Sequence, residues 1–169
     1  MIKTLVFDWG ETLMRELPDF PGKLIDAPEV FAMPGIAAAL AALQPQYMLI
    51  VASNADISTP DDVRGALRRV DLDAYFTQFH TSAVLGVSKP DPAFFAAVLD
   101  AAGCAPSEAV MIGDTFGTDV LGAKRAGLHA VWYNVRGEAI PPGSPVRPDA
   151  TIAALADLPA AIRALDGGS

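Results

Sequence analysis

Leu5-Val6-Phe7, entered from Thr4, is an apolar run that stops at Asp8, with Gly10 two residues on. An unbroken run of this kind reads as a strand buried on both faces, and such a strand needs cover on each side. This places it inside a parallel sheet flanked by helices. Gly10 permits a tight or φ-positive turn directly after the strand, which leaves Asp8 at the carboxyl edge, where open α/β sheets place their ligands. Asp8 either caps the following turn or has a chemical use there.

Further apolar runs repeat the pattern. Tyr47 to Ala52 ends in Ser53-Asn54, Ala109 to Ile112 ends in Gly113-Asp114, and Leu128 to Tyr133 reads as another strand, with a shorter one near Phe79 to Ser82. Helical spacing separates them. Ile36, Leu40 and Leu43 share one face of a helix over 34–43 that Pro45 ends, and a second helix covers about 60–70. Asp91 and Pro92 are an N-cap and first residue for a helix carrying Phe94, Phe95, Val98 and Leu99. Gly113 to Asp119 turns into a helix stopped by Gly127, in which small residues at Gly117, Gly122, Ala123 and Ala126 allow a close approach to the sheet. A proline-rich loop, 141–148, leads to a last helix around 158–165, and Gly167-Gly168-Ser169 reads as a frayed end. Strands alternating with helices imply a three-layer, Rossmann-like α/β fold: a parallel sheet with helices on both faces, joined by right-handed crossovers.

The 169 residues suit one domain. Mean hydropathy of +0.32 argues against disorder, and no apolar run approaches a membrane span. A net charge of −8 opposes attraction to nucleic acid or an anionic membrane surface. Arg64, Arg68 and Arg69 form the local basic cluster, and helical spacing makes it a solvated face. The chain enters its first strand at once, without a secretory leader, so a cytoplasmic location is the expectation. Cys104 cannot form an internal disulfide, since it is the one cysteine. Oligomers are possible.

Asp8, Ser53-Asn54, Ser88-Lys89-Pro90-Asp91-Pro92 and Gly113-Asp114-Thr115, in this order and spacing, resemble the haloacid dehalogenase superfamily of phosphatases and related hydrolases. The likeness runs from Ile2 to about the end of the Val131 strand. It implies that Asp8 is the nucleophile of a phosphate ester hydrolase, forming an aspartyl phosphate that water then hydrolyses. It further implies Mg²⁺ held by Asp8, Asp114 and the main-chain carbonyl of Gly10, with Ser53, Asn54 and Lys89 on the phosphate oxygens. Asp119 would act behind the ion, on its waters or on Lys89; an acidic residue stabilising a helix amino terminus is the competing reading. Pro90 disfavours the α conformation at Lys89 and holds it in an extended loop, although a surface lysine beside a proline would look the same. Family members often carry a cap domain. Residues 14–32 are too few for one and read as a loop or hairpin over the active edge, which resembles the capless members.

His80 and His129 lack partners at ligand spacing, and Trp9 either walls the site or is core. One position departs from the family's pattern. Its phosphatases usually carry a second aspartate two residues after the nucleophile, as general acid and base, and here that position is Gly10. Glu11 is the possible substitute, although a shift of one residue normally aims a side chain elsewhere. Three readings follow: a magnesium-dependent phosphatase with an unusual or missing acid, a metal-free haloacid dehalogenase, or a non-catalytic domain that binds a phosphorylated ligand or serves assembly. If the acid is missing, aryl and acyl phosphates should outpace alkyl esters, whose alkoxides leave poorly unprotonated.

Overall fold

The computed structural model of the protein describes residues 1–167. Six strands, β1 (Thr4–Phe7), β2 (Met48–Ser53), β3 (Gln78–Thr81), β4 (Ala109–Gly113), β5 (His129–Tyr133) and β6 (Ala150–Ile152), form one sheet in the order β3-β2-β1-β4-β5-β6. Every neighbouring pair is parallel.

The two-sided burial expected of the inner strands holds residue by residue. Leu5, Phe7, Leu49, Val51, Val110, Ile112, Val131 and Tyr133 enter one core, which α1 (Ile36–Leu43), α2 (Pro60–Arg68) and α6 (Leu158–Gly167) cover. Val6, Ile50, Ala52, Met111, Ala130 and Trp132 point the other way, into a core covered by α4 (Pro92–Ala102) and α5 (Leu121–Arg125). The period of two along each strand thus becomes three layers. Asp91 Oδ1 accepts from the main-chain N–H of Ala93 at 2.9 Å, and Pro92 opens α4 as expected.

Several local expectations are corrected. β6 went unseen, since it is three residues long with only Ile152 buried and so offers no readable period. The strand near Phe79 ends at Thr81, where Ser82 begins the short α3 (Ser82–Leu85). A π-helical turn over Phe116–Val120 precedes α5. At Gly122 α5 comes close to the turn before α4 and to Phe95 of α4 rather than to the sheet, since a Cβ there would stand 3.0 Å from Pro90 Cα and 2.8 Å from the Phe95 ring, whereas nothing lies within 4 Å of one on Gly117. Gly10 is not φ-positive; Glu11 takes the left-handed place, at φ 54°. Lys89 occupies a tight turn rather than an extended loop: Asp91 N–H donates to Ser88 O at 3.0 Å, and the Lys89–Pro90 peptide is cis. Of the frayed end, Gly167 closes α6, and Gly168 and Ser169 lie outside the described residues. Among the described residues no helix is long and apolar enough to cross a membrane.

The basic residues of α2 do more than face solvent. Arg68 Nε meets Asp73 Oδ2 at 3.1 Å, while Arg69, just past the helix, donates to the carbonyls of Ile25, Ala27 and Pro28 at 2.9, 2.6 and 3.1 Å. Arg69 therefore anchors a segment some forty residues earlier that would otherwise have few hydrogen bonds. Charged donors to carbonyls are each worth about 1.5–3 kcal/mol before screening, and the exposed part of this set will give less. Arg69→Met should speed amide exchange across residues 24–28 while α1 and the sheet keep wild-type protection. Uniform loss of protection would show that Arg69 supports the whole fold instead.

Candidate active site

The parallel register brings the ends of β1, β2 and β4 to one edge: Phe7 pairs with Val51 and with Ile112, so Asp8, Ser53 and Asp114 emerge side by side. Asp8 continues the sheet for one more bond, its N–H donating to Ile112 O at 2.9 Å. Lys89 enters from the turn before α4 and is 3% exposed. Its Nζ donates to Asp8 Oδ1 at 2.9 Å and to Asp119 Oδ1 at 2.8 Å. Burial alone would push the Lys89 pKa down; the carboxylates of Asp119 and Asp8 overcome this and raise it, so the ammonium persists.

Asp119, 1% exposed, feels the opposite pushes: burial raises its pKa and the Lys89 charge lowers it. The geometry favours the ion pair, since Oδ1 accepts from Lys89 and Oδ2 from the Thr115 N–H at 3.0 Å, as both oxygens of a carboxylate can. Its carboxyl lies directly on Gly113, where any Cβ would collide with it. Asp114 is held differently. Its carbonyl accepts from Trp132 Nε1 at 3.0 Å, which fixes the main chain, and its carboxylate faces the cleft with Arg136 Nη2 at 3.7 Å. Burial first, and then the charge of Asp8, push the Asp114 pKa up to about 6. One carboxylate oxygen from each of Asp8, Asp114 and Asp119 lies within 4.8 Å of the others.

Ser53 is buried, and its Oγ accepts from Ala55 N–H at 3.2 Å, leaving its own hydrogen free to donate. Asn54 is committed to Lys89: its Nδ2 donates to Lys89 O and its Oδ1 accepts from Lys89 N–H, both at 2.8 Å. This amide clasp aims the lysine. Glu11 is also engaged, its Oε1 accepting from the N–H of Glu16 at 2.7 Å.

These groups line a cleft of about 870 Å³. Its other walls come from Glu16 to Leu24, from Asp56 to Ser58, and from Thr115, Thr118 and Arg136. The first of these segments belongs to the loop over 14–32, whose base is closed because Arg15 N–H donates to Phe31 O and Met33 N–H to Leu13 O, each at 2.9 Å. Trp9 serves both possibilities raised for it, being 7% exposed in the core and also lining the cleft. Phe116 packs its ring on Trp132, with centroids 5.2 Å apart. His129 sits half-buried at the start of β5, 3.7 Å from Asp149 and away from the cleft. Sequence reasoning missed Glu16 and Arg136, whose loops carry no periodicity or motif to mark them.

The chain matches the haloacid dehalogenase-like hydrolase family over residues 18–127. It is 43% identical over 75 residues to a phosphoserine phosphatase of Thermus thermophilus, covering 44% of this chain and 30% of that one. It is 30% identical over 132 residues to the N-acylneuraminate-9-phosphatase of Rattus norvegicus, covering 78% and 52%. The chain thus spans about half or less of the length of these curated relatives. A crystal structure of an uncharacterized protein from Listeria monocytogenes superposes with a TM-score of 0.86 at 28% identity, covering 98% of this chain and 99% of that one. That neighbour shares the fold over nearly its whole length. With a match spanning more than half of its residues, and with this parallel sheet between helices, the chain belongs to the haloacid dehalogenase-like hydrolases.

Proposed function

We propose that the protein is a magnesium-dependent phosphate ester hydrolase acting through an aspartyl phosphate on Asp8. The observation that carries this reading is the buried Lys89 ammonium, bonded to Asp8 and Asp119 beside the Asp114 carboxylate at the floor of an open cleft. The phosphatases among its relatives support the same chemistry.

The donor set fits Mg²⁺. Both Asp119 oxygens already accept hydrogen bonds, which leaves Asp8 and Asp114 of the clustered carboxylates to hold the ion, with the main-chain carbonyl of Gly10 as the third ligand that the family resemblance implies, and Asp119 acts through Lys89. All three are hard oxygen donors. The charge crowding that raises Asp114 is the kind a divalent cation relieves. When bound, Mg²⁺ neutralises phosphate charge and lowers its repulsion toward the carboxylates. Asp8 supplies the nucleophilic oxygen, while the Ser53 hydroxyl and Lys89 hold the oxygens of the transferring group. Asn54 serves the phosphate through Lys89, whose main chain it fixes on both sides.

In this reading residues 1–169 work as one domain, and residues 14–32 lie over the active edge in place of a cap. The substrate is a phosphorylated compound that contacts this segment, the Asp56 loop and Arg136. An open cleft admits large or flexible phosphate esters and gives little of the dry enclosure that carboxylate attack on carbon needs. The test is a screen of phosphate esters with chelated and then Mg²⁺-replete protein. Hydrolysis should vanish on chelation and return with Mg²⁺, and intact mass under turnover should show one added phosphoryl group. Undiminished hydrolysis in excess chelator would refute the metal-dependent reading.

A further inference from the structure

At Gly10 the chain lacks the side chain that would serve as general acid, and the structure shows what occupies the space instead. Gly10 has no positive φ, so its turn does not require glycine. A Cβ built there would collide with Oε1 of Glu16 and stand 3.0 Å from its Cγ and Cδ, so the three nearest atoms all belong to that side chain. The missing Cβ makes room for a carboxyl group arriving from six residues away.

Two features hold it there. Glu11, in its left-handed conformation, accepts from the Glu16 N–H at 2.7 Å. The next residue back, Arg15, is bonded through its N–H to Phe31 O, which closes the base of the loop. Glu16 lines the same cleft as Asp8, Ser53, Lys89 and Asp114, and its side chain makes no ion pair among the described residues. Glu11, in contrast, has one carboxylate oxygen engaged by the main chain.

We propose that Glu16 is the general acid and base of the reaction, delivered from the 14–32 segment into the space left by Gly10. This rests on the phosphate ester hydrolase reading above. As the bond from an Asp8 oxygen to phosphorus forms and the ester P–O bond breaks, the Glu16 carboxyl gives its proton to the departing oxygen. Water then attacks phosphorus and the Asp8 O–P bond breaks. The Glu16 carboxylate takes the water's proton, so ester and water become alcohol and phosphate with the enzyme restored.

The test compares an aryl ester, 4-nitrophenyl phosphate, which leaves without protonation, with an alkyl ester, glycerol 1-phosphate, which does not. Because kcat/KM covers only the steps up to departure of the alcohol, it isolates the acid role. Glu16→Gln should lower kcat/KM for the alkyl ester about 10²- to 10⁴-fold and that for the aryl ester less than about 10-fold. It should also accumulate phosphoprotein with 4-nitrophenyl phosphate, detected by intact mass, because the base is lost as well. Gly10→Asp/Glu16→Ala, with the carboxylate carried on residue 10, should recover alkyl turnover at least about 10-fold over Glu16→Ala. Equal losses on both esters, no loss on either, no phosphoprotein, or no recovery in the double variant would each overturn the assignment while leaving Asp8-dependent hydrolysis in place. Absence of hydrolysis by the wild-type protein with Mg²⁺ would overturn the underlying reading and this assignment together.

Discussion

Asp8→Asn should abolish turnover of every phosphate ester, by about 10⁴-fold or more, and leave the fold intact. The amide replaces the only carboxylate that stands directly at the end of the central strand β1, and its nitrogen does not attack phosphorus. The geometry makes the control clean. Asparagine keeps an oxygen where Asp8 Oδ1 accepts from Lys89 at 2.9 Å, so that contact survives as a weaker hydrogen bond. The substitution also removes one of three crowded carboxylates, one whose charge helps push Asp114 up to about 6. In the metal-free protein its thermal midpoint should therefore match or exceed that of the wild type. Steady-state kinetics and calorimetry on the same preparations decide it. An active Asp8→Asn would assign the chemistry to another group, and an inactive but unfolded one would reveal a structural role.

Lys89→Met is expected to cost more stability than any other single change at the site. It leaves the Asp119 carboxylate, 1% exposed, with its Thr115 bond and no countercharge, and Asp8 loses the same partner. Breaking a buried pair from one side typically costs about 3–5 kcal/mol, because the remaining charge has neither water nor partner. At this chain length, that corresponds to a fall in thermal midpoint of about 6–20 °C. Removing both members should recover much of the loss, so Lys89→Met/Asp119→Asn should be more stable than Lys89→Met alone although equally inactive. A complete double-mutant cycle in metal-free protein measures the coupling. A single variant within about 1 kcal/mol of wild type would show that Lys89 is not needed to hold the carboxylates together.

What could be read from the sequence was what is encoded locally. Each inner strand is a short apolar run whose residues divide alternately between two cores, so two-sided burial, and with it a parallel sheet under helices, follows from the run itself. Strand ends are equally local. A polar residue that terminates such a run must lie at the carboxyl edge, which is why Asp8, Ser53 and Asp114 could be grouped before any distance was known. The start of α4 at Asp91-Pro92 belongs with these, because a cap and a proline act on the next few residues only.

The tertiary structure decided what depends on partners distant in the chain. The Asn54 amide spends one N–H and its oxygen on a residue 35 positions later, so a candidate phosphate contact is also a clasp on Lys89. β6 exists because β5 offers an edge to pair with, and three residues carry no period of their own. Residues 14–32 contain no repeat or helical face; their path is set by bonds between 15 and 31 and by Arg69, which lies on the far side of one strand and two helices in the sequence. Only once that path is fixed does Glu16 meet Gly10. A glycine in sequence reports an absent side chain, and which neighbour fills the space is determined by long-range packing.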